Sequence, residues 1–181
     1  VLDIAAGTGD LTRAFARRAG ATGQVVHTDI NEAMLRVGRD RLLDEGLVLP
    51  SIVCDAEQLP FRGDSFDLAS VAFGLRNMTH KDRALAEMCR VLRPGGRLLV
   101  LEISKPASRA GTLLLKAYMR VLVPLIARVV AHERDTSRLW RYYWDTIEAC
   151  IAPPTIVAAL EAAGFEQVRR HVELGIFSEY T

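Results

Sequence analysis

Residues 1–12 of the chain read VLDIAAGTGDLT. The apolar run VLDIA is typical of the end of a strand, and the small residues of Ala5–Gly9 form a turn before a helix that begins at Asp10. Glycine lets the backbone approach a ligand closely, and the turn between a strand and a helix N-terminus is a position at which nucleotides bind. The opening stretch therefore predicts a nucleotide site at the end of the first strand.

Beyond this turn, short apolar runs alternate with helical patterns, which is typical of βαβ units and a parallel sheet. Further strands are predicted at QVVHTD, SIVCD, FDLASVAFG and RLLVLEIS, and two closing strands lie in FEQVRRHVELGIFSEY. Helices are predicted at 10–18, after an N-cap at Asn31, at 82–92 before the turn RPGG, and from Pro153 to Gly164. This order of elements predicts a doubly wound, Rossmann-like α/β fold.

The composition favours a single domain over residues 1–181, because 50% of the residues are hydrophobic and no repeat or linker divides the chain. The 23 basic and 22 acidic residues give a net charge of +1, which excludes the electrostatic footprint of a nucleic-acid-binding protein. Three cysteines, odd in number and far apart, fit a reducing environment and predict a cytoplasmic protein.

Residues 110–133 form a long apolar stretch that contains three cations, Lys116, Arg120 and Arg128. Cations are costly at the centre of a bilayer, so we do not expect a membrane span. On a helix, the three would lie within about one third of the circumference. Two interpretations stay open: a helix packed on the sheet, or an interfacial helix that contacts a hydrophobic substrate or lies peripheral to the inner membrane.

The first acidic residues of the predicted site identify the kind of nucleotide. The turn contains GTG instead of the three-glycine pattern of dinucleotide sites, and Asp10 at the helix entrance would repel a pyrophosphate. Asp29 ends the second strand, twenty residues after Gly9, where a carboxylate can accept hydrogen bonds from both ribose hydroxyls. We infer an adenosine-type ligand that lacks phosphates.

Two further acids complete this predicted site. Asp55, followed by Ala56, ends the third strand, where an acid can accept the adenine amino group, and Asp3 in the first strand can hold an ammonium group. Each acid alone has the alternative role of a helix cap or a solvated turn residue. Together they predict S-adenosylmethionine as the cofactor. No metal site is predicted, since the four histidines lack the spacing of metal ligands.

A wider set of motifs resembles one known family. VLDIAAGTGDLT, DINEAML, DAEQLPF, SFDL, FGLRN, RVLRPGGRLLVLEISKP and AAGF resemble the class I, S-adenosylmethionine-dependent C-methyltransferases of ubiquinone and menaquinone biosynthesis. The resemblance covers nearly the whole chain and is densest from Val1 to Pro106. It implies a mostly parallel seven-stranded sheet with an antiparallel edge strand. The match does not include the helical segment that the family places before the first strand. The resemblance also implies a helical insertion around 107–150 that covers the acceptor.

The same resemblance implies that Thr8, Asp29, Asp55 and Ala56 contact the cofactor. The predicted cofactor-binding residues are Asp3, Gly7, Thr8, Gly9, Asp29, Ile30, Met34, Asp55, Ala56 and Ala72. The family often has Asn in place of Asp55 and Ser in place of Ala72, so we expect only backbone or van der Waals contact from Ala72. The stretch WRYYWDTI has Asp145 where the family has Glu, and its surroundings differ more, which leaves the acceptor open.

The motif FGLRN leaves the fourth strand toward the crevice, so Arg76 and Asn77 are the predicted catalytic residues. A hydroquinone ring becomes carbanion-like at carbon when it loses a phenolic proton; Arg76 would stabilise the phenolate and Asn77 would orient a water. The alternative is an arginine paired with a neighbouring acid and an asparagine that caps the next helix. Weaker candidates for the proton acceptor are His80, His132, Tyr142 and Asp145.

The predicted function is C-methyl transfer to a polyprenylated quinone precursor such as demethylmenaquinone. Methylation of another lipid-like or aromatic small molecule stays open, as do a non-catalytic cofactor-binding subunit and an NAD-binding domain. We expect a hydrophobic or aromatic small-molecule acceptor and no nucleic-acid partner. Peripheral contact with a membrane and a homodimer are left open.

Overall fold

The computed structural model describes residues 1–20, 22–103, 109–118, 121, 150–173 and 177–181. The insertion expected around 107–150 falls mostly outside these residues, as do His132, Tyr142 and Asp145. The strands are β1 (Leu2–Ile4), β2 (Val26–Asp29), β3 (Ser51–Val53), β4 (Phe66–Ala72), β5 (Leu92–Ile103), β6 (Arg170–Glu173) and β7 (Phe177–Tyr180). The helices are α1 (Asp10–Ala19), α2 (Glu32–Asp44), α3 (Lys81–Val91), α4 (Arg109–Ala117) and α5 (Pro153–Ala162), with a 3₁₀ turn at Leu75–Asn77.

The strands form one sheet in the order β3-β2-β1-β4-β5-β7-β6. The neighbours from β3 to β5 pair in parallel, whereas β7 runs antiparallel to both β5 and β6. This confirms the predicted α/β fold, with the antiparallel strand lying one position inside the edge. The strands β2 and β3 follow on one side of β1, and β4 and β5 follow on its other side, so the strand order reverses between β1 and β4. Ligands bind at the carboxyl ends of the strands at such a switch point.

The hydrophobic core lies on the central strands and the helices that cover them. It is built from Leu2, Ile4, Val71 and Val100 of the sheet, Leu85, Met88 and Val91 of α3, and Ile156 and Leu160 of α5. Each such side chain contributes about 1.5–3 kcal/mol when fully buried. The core therefore fixes the central strands, whose carboxyl ends carry the site.

Local sequence signals account for the helix boundaries. Asn31 caps α2 as predicted, because its side-chain oxygen accepts hydrogen bonds from the backbone N–H groups of Ala33 and Met34. Proline begins α5 at Pro153, where a missing N–H has no helical partner to lose. Among the described residues, no helix combines the length and apolar character needed to cross a bilayer.

One boundary differs from the sequence prediction. Helix α3 ends at Val91, before RPGG as predicted, but these four residues belong to β5 and are not a separate turn. The pairing of β4 with β5 passes from Phe66 opposite Leu92 to Leu68 opposite Arg97, so RPGG forms an irregular bulge in the strand. Pro94 has no N–H to contribute to a regular ladder, which explains why the pairing is interrupted there.

Candidate functional site

A cavity of about 800 Å³ lies at the carboxyl ends of β1, β2, β3 and β4. Its walls come from the turn after β1, the end of β2 with the start of α2, the loop after β3, and the segment after β4. Ten of the predicted site residues line it, namely Gly7, Thr8, Asp29, Ile30, Met34, Asp55, Ala56, Ala72, Arg76 and Asn77. Asp3 and Gly9 are not part of this lining.

The turn after β1 forms one wall of the cavity with almost no side-chain volume. Gly7 has a φ of +55°, a backbone conformation that residues other than glycine rarely adopt. A Cβ at this position would also lie 3.0 Å from the Cε atom of Met34. The turn therefore needs glycine both for its backbone conformation and for the space in front of it.

The turn is supported from behind by a buried histidine and by helix α2. The His27 ring is fully buried, and its Nε2 lies 3.1 Å from the carbonyl oxygen of Gly7 while its Nδ1 lies 3.2 Å from Oγ of Ser51. Because a carbonyl only accepts, Nε2 carries the proton that is donated to Gly7. Burial lowers the pKa of His27 below 6.5. A Cβ on Gly38 of α2 would lie 2.9 Å from the carbonyl oxygen of Gly7, so the helix contacts the turn directly.

Asp29 connects the turn to the start of α2. Its Oδ2 accepts the backbone N–H of Gly7 and its Oδ1 accepts that of Asn31, both at 2.8 Å. Each carboxylate oxygen can accept a second hydrogen bond, and Asp29 lines the cavity while being only 8% exposed. The carboxylate is therefore fixed in position with accepting capacity left for two hydroxyl groups.

The loop after β3 forms the adjacent wall. Asp55 lies on the cavity and accepts the backbone N–H of Glu57 at 2.9 Å. The loop is tied to α3 by Glu87, which accepts the N–H of Leu59 at 2.8 Å, and by Arg90, which donates to the carbonyl oxygen of Leu59 at 3.1 Å. Arg90 also pairs with Glu87 at 2.6 Å and lowers the pKa of that carboxyl. These contacts hold the loop in place without occupying the cavity.

Exposed apolar side chains lie beside these carboxylates. Ile30 is 68% and Met34 44% exposed, and both line the cavity. Large apolar side chains left uncovered beside polar anchors are characteristic of small-molecule sites. This part of the cavity can enclose a flat heterocycle.

Asp3 does not have the role that the sequence predicted. Its side chain is 1% exposed and points behind the turn, where Oδ2 accepts from Oγ1 of Thr12 at 2.6 Å and Oδ1 accepts from Oγ of Ser70 at 2.5 Å. Burial raises the pKa of Asp3, and the two hydroxyl donors oppose that shift. Asp3 therefore joins β1, α1 and β4 and does not reach an ammonium group in the cavity. Gly9 likewise faces Leu42 and His27 on the far side of the turn.

Arg76 lies at the end of the cavity opposite the β2–β3 side. Its Nη1 pairs with Oε2 of Glu102 at 3.2 Å, and its backbone N–H donates to Oε1 of the same carboxylate at 3.2 Å. The guanidinium also lies 5.7 Å from the ring centroid of Phe73, which lines the cavity. Arg76 is thus paired with an acid, which is the alternative that the sequence left open, and it also lines the cavity.

Asn77 is exposed on the same wall and does not cap the next helix. Helix α3 has His80 as its N-cap residue, without a side-chain capping bond, and Oε1 of Glu57 accepts the backbone N–H of His80 at 2.7 Å. The carboxylate of Glu57 thus meets the helix N-terminus, a favourable position for an anion. His80 itself is exposed and lies outside the cavity lining. Within the described ranges, no cluster of three or more His, Cys, Asp or Glu side chains could hold a metal ion.

Cofactor fit follows from this geometry. Asp29 can take the ribose hydroxyls, Asp55 can take the adenine amino group, and Ile30 with Met34 can cover the adenine faces. The glycine turn leaves room for the remainder of the molecule and offers no phosphate clamp. The fold and the site together define a class I, S-adenosylmethionine-dependent methyltransferase.

Comparison with known proteins agrees with this class and gives the family. Residues 1–179 match the ubiE/COQ5 methyltransferase family, and the chain belongs to it. The chain is 55% identical over 172 residues to the ubiquinone/menaquinone biosynthesis C-methyltransferase UbiE of Burkholderia vietnamiensis (strain G4 / LMG 22486), covering 93% of this chain and 68% of that protein. The protein of the same name from Burkholderia thailandensis is 54% identical over the same coverage.

Solved structures show the same fold at lower identity. A SAM-dependent methyltransferase from Aquifex aeolicus superposes with a TM-score of 0.69 at 19% identity, covering 99% of this chain and 79% of that one. The phosphoethanolamine N-methyltransferase 2 of Haemonchus contortus, solved in complex with S-adenosyl-L-methionine, gives a TM-score of 0.66 at 20% identity, covering 94% of this chain and 34% of that one. These likenesses establish the fold of this chain.

Several residues that organise the site were missed by the sequence reasoning. They are His27, Gly38, Ser70, Glu87, Arg90 and Glu102. Glu102 carried a usable signal, because it is a single acid inside the apolar strand RLLVLEIS, and a buried acid needs a partner. The others act by contacts between distant parts of the chain, which no local pattern marks.

Proposed function

We propose that this chain transfers the methyl group of S-adenosylmethionine to a ring carbon of a polyprenylated quinone precursor, such as demethylmenaquinone in its hydroquinone form. The observation that carries the proposal is the 55% identity to a C-methyltransferase of ubiquinone and menaquinone biosynthesis over 172 residues. The cofactor supplies an activated methyl group with a good leaving group. The protein must therefore position the acceptor carbon and increase its nucleophilicity.

The residues at the Arg76 end of the cavity suit this task. Arg76, Asn77, Phe73 and Ile103 surround it with one cation, one amide and two apolar side chains. A hydroquinone that loses a phenolic proton gathers negative charge on oxygen and on the ring carbon beside it. Hydrogen bonds from Arg76 to that oxygen stabilise the charge, and Phe73 and Ile103 contact the ring. Asn77, being exposed, orients a water that takes the proton away.

The hydrophobic acceptor leads to a proposal about partners. Four apolar side chains on and after α4 are exposed among the described residues: Leu113 (67%), Leu114 (72%), Tyr118 (52%) and Val121 (64%). We propose that this surface contacts a prenyl tail or the lipid that carries it, which would make the protein peripheral to a membrane. Co-sedimentation with anionic vesicles tests this, and equal recovery with and without vesicles would contradict it. The homodimer stays a prediction that sedimentation velocity would test, and no nucleic-acid partner is proposed.

The experiment for the function is a methyl-transfer assay read by mass spectrometry. The protein is incubated with S-adenosylmethionine and either reduced demethylmenaquinone or simple phenols of similar ring structure. We expect a mass increase of one methyl group on the prenylated hydroquinone, with the new methyl retained on the ring after treatment with boron tribromide, which cleaves aryl methyl ethers and leaves carbon–carbon bonds intact. Methylation of the phenols alone, or only at oxygen, would contradict the proposed acceptor.

A further inference from the structure

The cavity has an uneven distribution of charge. Among the described lining residues, three are acidic, Asp29, Asp55 and Glu57, and one is cationic, Arg76. The acids lie on the β2–β3 side, to which the nucleoside is assigned above, and Arg76 lies on the β4 side, where we propose that the methyl group is transferred. S-Adenosylmethionine carries a positive sulfonium, so an isolated arginine in the same cavity would repel the cofactor.

Glu102 removes this conflict from behind the cavity wall. It is not a lining residue, it is 3% exposed, and it holds Arg76 through two hydrogen bonds of 3.2 Å. The side chains of the pair are 10% and 4% exposed, so little solvent screens their charges. Nε of Arg76 is itself buried and has no hydrogen-bond partner among the described residues, so the pair with Glu102 does not satisfy every donor of the guanidinium.

We propose that Glu102 is a positioning residue that neutralises Arg76, so that the arginine can donate hydrogen bonds at the methyl-transfer end of the cavity without repelling the sulfonium. The neutral pair provides directional donors and no net charge. Glu102 does this without touching the cofactor or the acceptor. The inference rests on the cofactor and not on the identity of the acceptor, so it stands apart from the proposed substrate.

The proposal makes a prediction that a purely structural role does not. Glu102→Gln keeps the size of the side chain but leaves the Arg76 charge uncompensated. Binding of S-adenosylmethionine, which has a positive sulfur, should then weaken relative to S-adenosylhomocysteine, whose sulfur is neutral. The expected change in the ratio of the two Kd values is about tenfold, because an uncompensated charge repels the sulfonium within one cavity, where the effective dielectric constant is about 20. Loss of local structure alone would weaken both ligands to a similar extent.

Isothermal titration calorimetry without acceptor measures both Kd values in each variant. The double variant Arg76→Met with Glu102→Gln should restore the wild-type ratio, because both charges are then absent. Asp67→Asn is the matched control, since it removes an exposed carboxylate that pairs with Arg93 at 2.7 Å and lies outside the cavity lining. Should Glu102→Gln not fold, Arg76→Met tests the idea from the other side, because the uncompensated Glu102 carboxylate should shift the ratio toward S-adenosylmethionine.

Three outcomes overturn the proposal. The first is a ratio within twofold of the wild type in Glu102→Gln, and the second is a ratio in Arg76→Met that does not shift toward S-adenosylmethionine. The third is a double variant that behaves like Glu102→Gln. A wild-type chain that methylates only a different acceptor would refute the proposed function and leave this charge relation intact. A wild-type chain that binds neither ligand would refute both.

Discussion

Replacing Asp29 by asparagine should weaken cofactor binding and also disturb the backbone that this carboxylate holds. The carboxylate accepts one backbone N–H on each oxygen, from Gly7 and from Asn31, both at 2.8 Å. Asparagine turns one acceptor into a donor, which would face one of these N–H groups. It also removes one charge-assisted hydrogen bond to a ribose hydroxyl, about 1.5–3 kcal/mol. That range corresponds to roughly a tenfold to hundredfold increase in Kd.

The assay is calorimetric titration with S-adenosylmethionine and with an analogue that lacks the 2′-hydroxyl. The analogue should bind more weakly than the cofactor to the wild type but about equally to Asp29→Asn, because the partner of that hydroxyl is then impaired. Asp40→Asn, on the exposed surface of α2, is the control and should bind like the wild type. An Asp29→Asn variant whose Kd lies within twofold of the wild type would refute the assignment of Asp29 to the ribose.

Three more predictions concern residues around the cavity. Gly38→Ala should reduce cofactor affinity by at least fivefold in calorimetry, since the new Cβ would press on the Gly7 carbonyl at 2.9 Å; unchanged affinity would show that the turn yields freely. His27→Gln should reduce the loss of the free energy of unfolding at acidic pH. Because burial lowers the pKa of His27 below 6.5, the unfolded chain binds the proton more readily, and the free energy of unfolding falls as the pH drops from 6.5 toward the lowered pKa. Urea unfolding at about pH 7.5 and about pH 5.5 measures this difference, which should shrink in the variant but not in His171→Gln, at an exposed histidine. Glu87→Gln should weaken adenosine binding several-fold by loosening the loop that it holds at Leu59; an unaltered Kd would contradict that role.

The fold could be predicted largely from the sequence because its signals are local. The runs VVHTD and FDLASVA have the length and apolar character of buried strands, and Asn31 and Pro153 mark helix starts by capping chemistry. The bulge at RPGG was not predicted, since proline and glycine are as typical of a turn as of an interrupted strand. Only the pairing with β4 distinguishes the two.

The site was predicted where its residues follow strands, and less well where side-chain direction matters. Asp29 and Asp55 end their strands at the carboxyl edge, so their place at the cavity follows from parallel topology. Asp3 lies one residue before the last position of β1, and all three residues of that short strand are buried. Which face its side chain takes depends on Thr12 and Ser70, which come from α1 and β4. The ion pair of Arg76 with Glu102 joins the 3₁₀ turn after β4 to β5. The sequence marks Glu102 as an acid that needs a partner, but it does not show that Arg76 is that partner.

Every described residue that lines the cavity lies between Ile4 and Ile103. The described part of the lining is therefore encoded in one uninterrupted portion of the chain, whereas β7 and β6 continue the sheet beyond β5. A genetic change after Ile103 is therefore expected to leave these lining residues, and with them the proposed donor contacts, unaltered. Chimeras joined just after Ile103 offer a direct way to combine this cavity lining with the later portions of other members of the family.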